Sequence, residues 1–126
     1  NKNADVDLCD IDKASPLLRA CQNGHEKIVN ILLQNNADTS LCLDDKFSPL
    51  YMSCGQGFKN TVQLLLAKSA EVNEYKCGAS CPLYIACVNG HVDIARYLLG
   101  NKADVELCFQ DEFNPLLKHV NLDITI

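Results

Sequence analysis

Eight cysteines and three histidines in 126 residues are the side chains best suited to chemistry. Cys77, Cys81, Cys87 and His91 follow the order Cys-x3-Cys-x5-Cys-x3-His, a donor set that could hold a tetrahedral zinc ion. Cys21 with His25, and Cys87 with His91, are pairs at i and i+4 that could supply a thiolate nucleophile and its base. An even number of cysteines also raises the question of a disulfide framework.

Spacing argues against all three uses. Cys9, Cys42 and Cys108 recur at one step or twice that step along the chain, and Cys21, Cys54 and Cys87 recur at the same step. Six of the eight therefore belong to a repeat. The Cys-His pair occurs at 21/25 and 87/91, with Phe58 in the histidine's place in the middle copy, whereas catalysis needs one activated thiol with an orienting group and an oxyanion site. No cysteines precede Cys21 at the positions matching Cys77 and Cys81, so the zinc-like set is mostly repeat by construction. Stacked units about 10 Å apart would hold Cys9, Cys42 and Cys108 beyond the ~7 Å Cα limit of a disulfide. Cys77 and Cys81 stand outside the repeat and are near enough in sequence to pair if oxidised. Free thiols in this number fit a reducing, intracellular compartment. The reading is therefore a non-catalytic protein without metal or cofactor, with zinc at Cys77/Cys81/Cys87/His91 kept as a remote alternative.

Composition agrees with a globular chain: 48% hydrophobic, 21% charged, six glycines and four prolines. No apolar run approaches the roughly 20 residues of a membrane span, and the start "NKNADVDLCD" lacks a secretory pattern. A formal charge of −5 argues against a general nucleic-acid binder and favours protein partners with basic patches.

The elements that carry these side chains repeat with a period of about 33 residues. "SPLLRAC" at 15–21, "SPLYMSC" at 48–54, "CPLYIAC" at 81–87 and "NPLLKHV" at 114–120 keep that step, as do "NADV", "NADT", "SAEV" and "KADV" at 3–6, 36–39, 69–72 and 102–105. Ser15, Ser48 and Asn114 can cap a helix whose first residue is proline. That helix should run about two turns to Gly24, Gly57 or Gly90, which can take the positive φ that turns the chain. A second helix follows in "EKIVNILLQ", "KNTVQLLLA" and "VDIARYLLG", each with one broad apolar face. Neither helix is long enough to be stable alone, so neighbouring units must stack into a solenoid. The polar stretches between, such as "NNADTSLCLDDK" at 35–46, read as extended turns or hairpins.

With this period, "SPLL" or "SPLY" in place of T-P-L-H, "AC-x-NGH", "IVNILL" and "ADV", the chain resembles the ankyrin repeat family over essentially its whole length. The fold class expected is an all-α repeat, a solenoid of helix-turn-helix units joined by hairpin-like loops. Residues 1–9 would be the tail of a preceding repeat, 10–42, 43–75 and 76–108 full repeats, and 109–126 a partial or capping repeat. The resemblance implies a protein-protein interaction module with no chemistry of its own. It also implies that the repeat cysteine serves as a small hydrophobe and that His25 and His91 cap and orient their turns.

Departures from the family pattern are informative. The hairpin tip, usually Gly, holds Lys13, Lys46, Ala79 and Glu112, and the Gly usual after the second helix is Asn3, Asn36, Ser69 and Lys102. Asn tolerates the left-handed conformation and Lys less so. Leu18, Tyr51, Tyr84 and Leu117 replace the T-P-L-H histidine and its hydrogen bonds. The expectation is a less stable array than a regular one.

The resemblance also assigns a binding surface, the concave groove formed by first helices and hairpin tips. Its residues would be Ile11, Asp12, Gln22 and Asn23 in the first unit and Asp44, Asp45, Phe47 and Gln56 in the second. Tyr75, Val88 and Asn89 would follow, then Gln110, Asp111 and Phe113. Phe47, Tyr75 and Phe113 are candidate anchors, because aromatics dominate hot spots. The acidic tips would steer a partner with basic and apolar character, bound by a monomer without nucleic acid or membrane insertion, in the cytoplasm or the nucleus. A competing reading is a spacer in a longer array with no ligand of its own. Finally, Leu65-x5-Glu71-Val72-Asn73 resembles the pattern of hydroxylated ankyrin asparagines, with Asn73 as acceptor.

Overall fold

The computed structural model describes residues 5–41, 47–68, 70, 72–73 and 81–105. Among them are six helices, α1 (Pro16–Asn23), α2 (Glu26–Gln34), α3 (Pro49–Gln56), α4 (Lys59–Ala67), α5 (Pro82–Val88) and α6 (Val92–Gly100). They form three pairs in the predicted phase, and the second helix of each pair spans the nine residues expected of it.

Local chemistry explains the boundaries. Ser15 Oγ accepts from Leu18 N at 3.1 Å and Ser48 Oγ from Tyr51 N at 3.0 Å, which satisfies one of the amides left open at a helix start. Proline occupies the first position of α1, α3 and α5, where a missing N–H does no harm. Cys81 takes the same extended backbone ahead of α5 without a side-chain cap. Gly24 and Gly57 then close α1 and α3 at φ of 74° and 84°. His25, Phe58 and His91 begin the second helices without any side-chain cap hydrogen bond. The expectation that the histidines cap their turns is corrected: neither makes a cap hydrogen bond to its own helix, and Phe58 holds the same position in the middle unit.

The pairs stack in two rows. α1 packs on α3 and α3 on α5, while α2 packs on α4 and α4 on α6. Between the rows runs a core of Leu17, Leu50 and Leu83 from the first helices and Val29, Val62, Leu65, Ala95 and Leu98 from the second, all fully buried. Each such leucine contributes about 1.5–3 kcal/mol by leaving water. Cys21, Cys54 and Cys87 lie in the same core, acting as small hydrophobes. Leu18, in the place of the family's histidine, is buried as well.

Lys13, Asn36 and Lys102 adopt φ of 69°, 63° and 72°. These are positions where the sequence departs from glycine, so the chain keeps the left-handed turns and accepts their strain, about 1–2 kcal/mol for a residue with a Cβ. The first tip is closed by Asp10 N to Ala14 O and Lys13 N to Asp10 O, both 2.9 Å.

Candidate protein-binding surface

The groove positions of the first unit converge on one side chain the sequence reading had passed over. Arg19, in α1, donates from Nε to Asp10 Oδ2 at 2.9 Å, from Nη2 to Asp12 Oδ2 at 3.2 Å and from Nη1 to Gln22 Oε1 at 2.9 Å. Asp10 in turn accepts from Asp12 N and Ala14 N through Oδ1. The Arg19 guanidinium hydrogen-bonded to Asp10 holds that carboxyl below its ordinary value, with the Ala14 amide adding to the effect. Arg19 thus links Asp12 and Gln22, and it partly matches the charge of the tip. The signal was present in the sequence, since Arg19 and Gln22 stand at i and i+3 and share a helix face.

Ile11 projects from the same tip and is 96% exposed, while Asn23 is exposed at the end of α1. In the second unit Phe47 is half-buried, its ring centroid 5.5 Å from that of Tyr51 at an interplanar angle of 43°, a tilted aromatic contact. Burial raises the Tyr51 phenol above its ordinary value, and neighbouring Tyr84 adds to the rise. Both Tyr51 and Tyr84 are half-buried. Tyrosine at the positions vacated by the family's histidine therefore extends the aromatic surface that Phe47 begins, a role not read from the sequence.

Asn89 does not stand free in the groove. Its Nδ2 donates to Gly55 O at 2.8 Å, and His91 Nε2 lies 3.1 Å from the same carbonyl. Gln56 is exposed and Val88 half-buried. Asp44, Asp45, Tyr75, Gln110, Asp111 and Phe113 lie outside the described residues.

Asn73 ties one turn to the next: Nδ2 donates to Lys102 O at 3.2 Å, and Oδ1 accepts from Asp104 N at 2.7 Å. Asp7, two units earlier in the repeat, accepts from Asp38 N at 2.8 Å in the same way.

Among the described residues the sulfurs form no reactive cluster. Cys9 is exposed and Cys21, Cys54 and Cys87 are buried, and none of these four is in a disulfide. Burial pushes Cys21 up to about 12, against a hydrogen bond from Ser53, and Cys87 up to about 11. Cys81 is disulfide-bonded, so it has no thiolate to offer a metal. Among the described residues no group of three or more His, Cys, Asp and Glu could hold a metal ion; Cys77 lies outside them. An open depression of about 380 Å³ is lined by Gly57, Lys59, Gly90, His91, Val92, Asp93 and Ile94, and none of the predicted groove residues borders it. Among the described residues no helix is long and apolar enough to cross a membrane.

Stacked helix pairs with proline starts, glycine turns and a regular period define a repeat protein of the helix-turn-helix solenoid class. The family model for ankyrin repeats (3 copies) matches residues 1–76 and 17–111, and the chain belongs to the ankyrin repeat family. Ankyrin repeats are generally non-catalytic modules for protein-protein interaction. No curated protein matches the chain.

Proposed function

We propose that this chain binds one partner protein through the side formed by α1, α3, α5 and the tips that precede them. The partner segment carries an apolar anchor, which packs on the Phe47 and Tyr51 rings, and basic flanks attracted by a chain of net charge −5. The observation that carries this reading is the half-buried Phe47–Tyr51 pair: aromatic surface held rigid by its neighbour loses little entropy when a ligand covers it. Ile11, 96% exposed on a tip braced by Arg19, supplies a second apolar contact. Asp12 and Gln22, fixed by the same arginine, present carboxylate and amide oxygens to basic groups. Asn73 serves the turn-to-turn link in this reading, with hydroxylation a modification of that link.

The test compares proteins retained from a cell lysate by the wild type, by Phe47→Ala and by Asn30→Ala, a change on the exposed side of α2. A partner kept by wild type and Asn30→Ala but lost by Phe47→Ala supports the groove. Equal retention by all three removes Phe47 from the interface and favours the spacer reading.

A further inference from the structure

Ser15, Ser48 and Cys81 stand at the same place ahead of α1, α3 and α5, and the cysteine departs from the two serines. Ser15 Oγ lies 3.1 Å from Leu18 N and Ser48 Oγ 3.0 Å from Tyr51 N. Cys81 makes no side-chain cap, and its sulfur is held in a disulfide. The backbone is not the cause. Cys81 has φ −69° and ψ 166°, against −73° and 160° at Ser15 and −82° and 164° at Ser48. The chain is set for a cap, and only the side chain is turned elsewhere.

The first turn of α5 differs accordingly. Tyr84 N donates to Cys81 O at 3.0 Å, and Ile85 N lies 3.4 Å from the same oxygen. The bonds equivalent to this second one, Arg19 N to Ser15 O and Met52 N to Ser48 O, are 3.1 and 2.9 Å. The uncapped turn has tightened toward 3₁₀ bonding, which satisfies the amide that serine satisfies in α1 and α3. Bonding at Cys81 is selective, since Cys9, Cys21, Cys54 and Cys87 are in no disulfide. Cys81 is also fully buried, so thiol exchange must begin at its partner's sulfur.

We infer that the Cys81 disulfide, formed with Cys77, is a redox latch on the start of α5. Cys77 lies outside the described residues and is assigned from its closeness in sequence. In the forward step a glutathione thiolate attacks the Cys77 sulfur, the S–S bond breaks, and Cys81 leaves with the electron pair and takes a proton from water. A second glutathione thiolate attacks the mixed disulfide and frees Cys77, which is protonated in turn. Two glutathione thiols thus become one glutathione disulfide, and the protein gains two electrons and two protons. The freed Cys81 Sγ rotates into the place of the serine oxygen and accepts from Tyr84 N, as a weaker cap than a hydroxyl. Tyr84 adjoins Tyr51, so the latch lies beside the aromatic surface of the groove. It stands whether or not that surface binds a partner.

Glutathione buffers of graded thiol-to-disulfide ratio, quenched with a maleimide and read by fragment mass, follow the bond. Labels on Cys77 and Cys81 should appear together in the wild type, and the transition should be absent from Cys77→Ser and Cys81→Ser. Amide hydrogen exchange followed by NMR reads the cap. The Tyr84 amide should exchange about threefold more slowly once the wild type is reduced, the size of a weak cap. In Cys81→Ser, where a hydroxyl restores the cap, it should be slow in oxidising and reducing buffer alike. The Leu18 and Tyr51 amides, capped by serine in both states, report any general loosening. A bond that persists across the glutathione series, a partner other than Cys77, or a Tyr84 amide that reduction does not slow relative to Leu18 and Tyr51 overturns the inference.

Discussion

The imidazole of His91 lies over Gly57 of the preceding unit so closely that a Cβ there would stand 2.8 Å from its Cε1, while its Nε2 reaches Gly55 O at 3.1 Å. One side chain thus reads both a glycine and a carbonyl across the interface. Phe58 on Gly24 keeps the packing half of this contact and forgoes the polar half.

This contact ranks the three turn glycines. Gly24, Gly57 and Gly90 all have φ between 74° and 84°, but a Cβ at Gly90 would meet nothing within 4 Å. Gly90→Ala should cost about 1 kcal/mol from left-handed strain alone. Gly24→Ala and Gly57→Ala should each cost a further ~1 kcal/mol or more, because the ring above must move. Urea denaturation of the three variants checks the order; equal losses at all three would show that the rings yield freely.

Strain can be relieved where lysine holds a left-handed turn. Lys13→Gly and Lys102→Gly, at φ of 69° and 72°, should each stabilise the chain by about 0.5–1 kcal/mol, the relief of the Cβ clash outweighing the added freedom of the unfolded glycine. The measurement is the shift in thermal midpoint, expected to be upward by a few degrees.

Thiol chemistry should separate Cys9 from the three buried cysteines of the first helices. Exposed Cys9 should react with a maleimide within the native protein, whereas Cys21, Cys54 and Cys87 should react only on unfolding. Cys21 titrates near about 12 when folded, against an ordinary 9.0. Below pH 9 both states hold the proton and stability does not change on its account. Between about 9 and about 12 the unfolded chain loses the proton first, so stability falls as pH rises, by about 1.4 kcal/mol per unit for this thiol. Cys87 acts in the same direction up to about 11. Cys21→Ala should flatten the alkaline fall measured by urea midpoints across this range.

Arg19→Ala tests the first tip. With the guanidinium gone, the Asp10 carboxyl should titrate closer to its ordinary value, as followed by the carboxyl carbon shift in NMR. Because the folded carboxyl sits below its ordinary value, its stabilising effect is present above that value and is lost as pH falls through the folded one. The variant should lose most of that acid sensitivity, the Ala14 and Asp12 amides keeping the remainder. Global stability should change little, since the Arg19 side chain is 34% exposed and its two carboxylates 41% and 71%, where ion pairs are screened by water.

Much of the repeat was legible in the residues themselves. Proline starts, glycine turns and the apolar faces of "EKIVNILLQ" and its counterparts are local signals, acting within a turn or two of the chain, and the six helices keep their phase, with Cys81 standing in for the capping serine ahead of α5. The buried role of Cys21, Cys54 and Cys87 followed from the family resemblance, which places a small apolar residue there. The site was less legible. Asp12 and Gln22 were named without Arg19, and Asn89 was assigned to a partner though it holds Gly55 O.

The sequence by itself determined the unit, its period and the side chains each helix must bury, because capping, turn conformation and amphipathic spacing depend on near neighbours. Only the tertiary structure decided what each unit does to the next. Asn89 and His91 meet one carbonyl in the preceding unit, and Phe58 packs over Gly24 of the unit before it. Those contacts depend on the distance between stacked helices and on which of several exposed polar groups stands opposite, and neither is encoded in the spacing along a single chain segment.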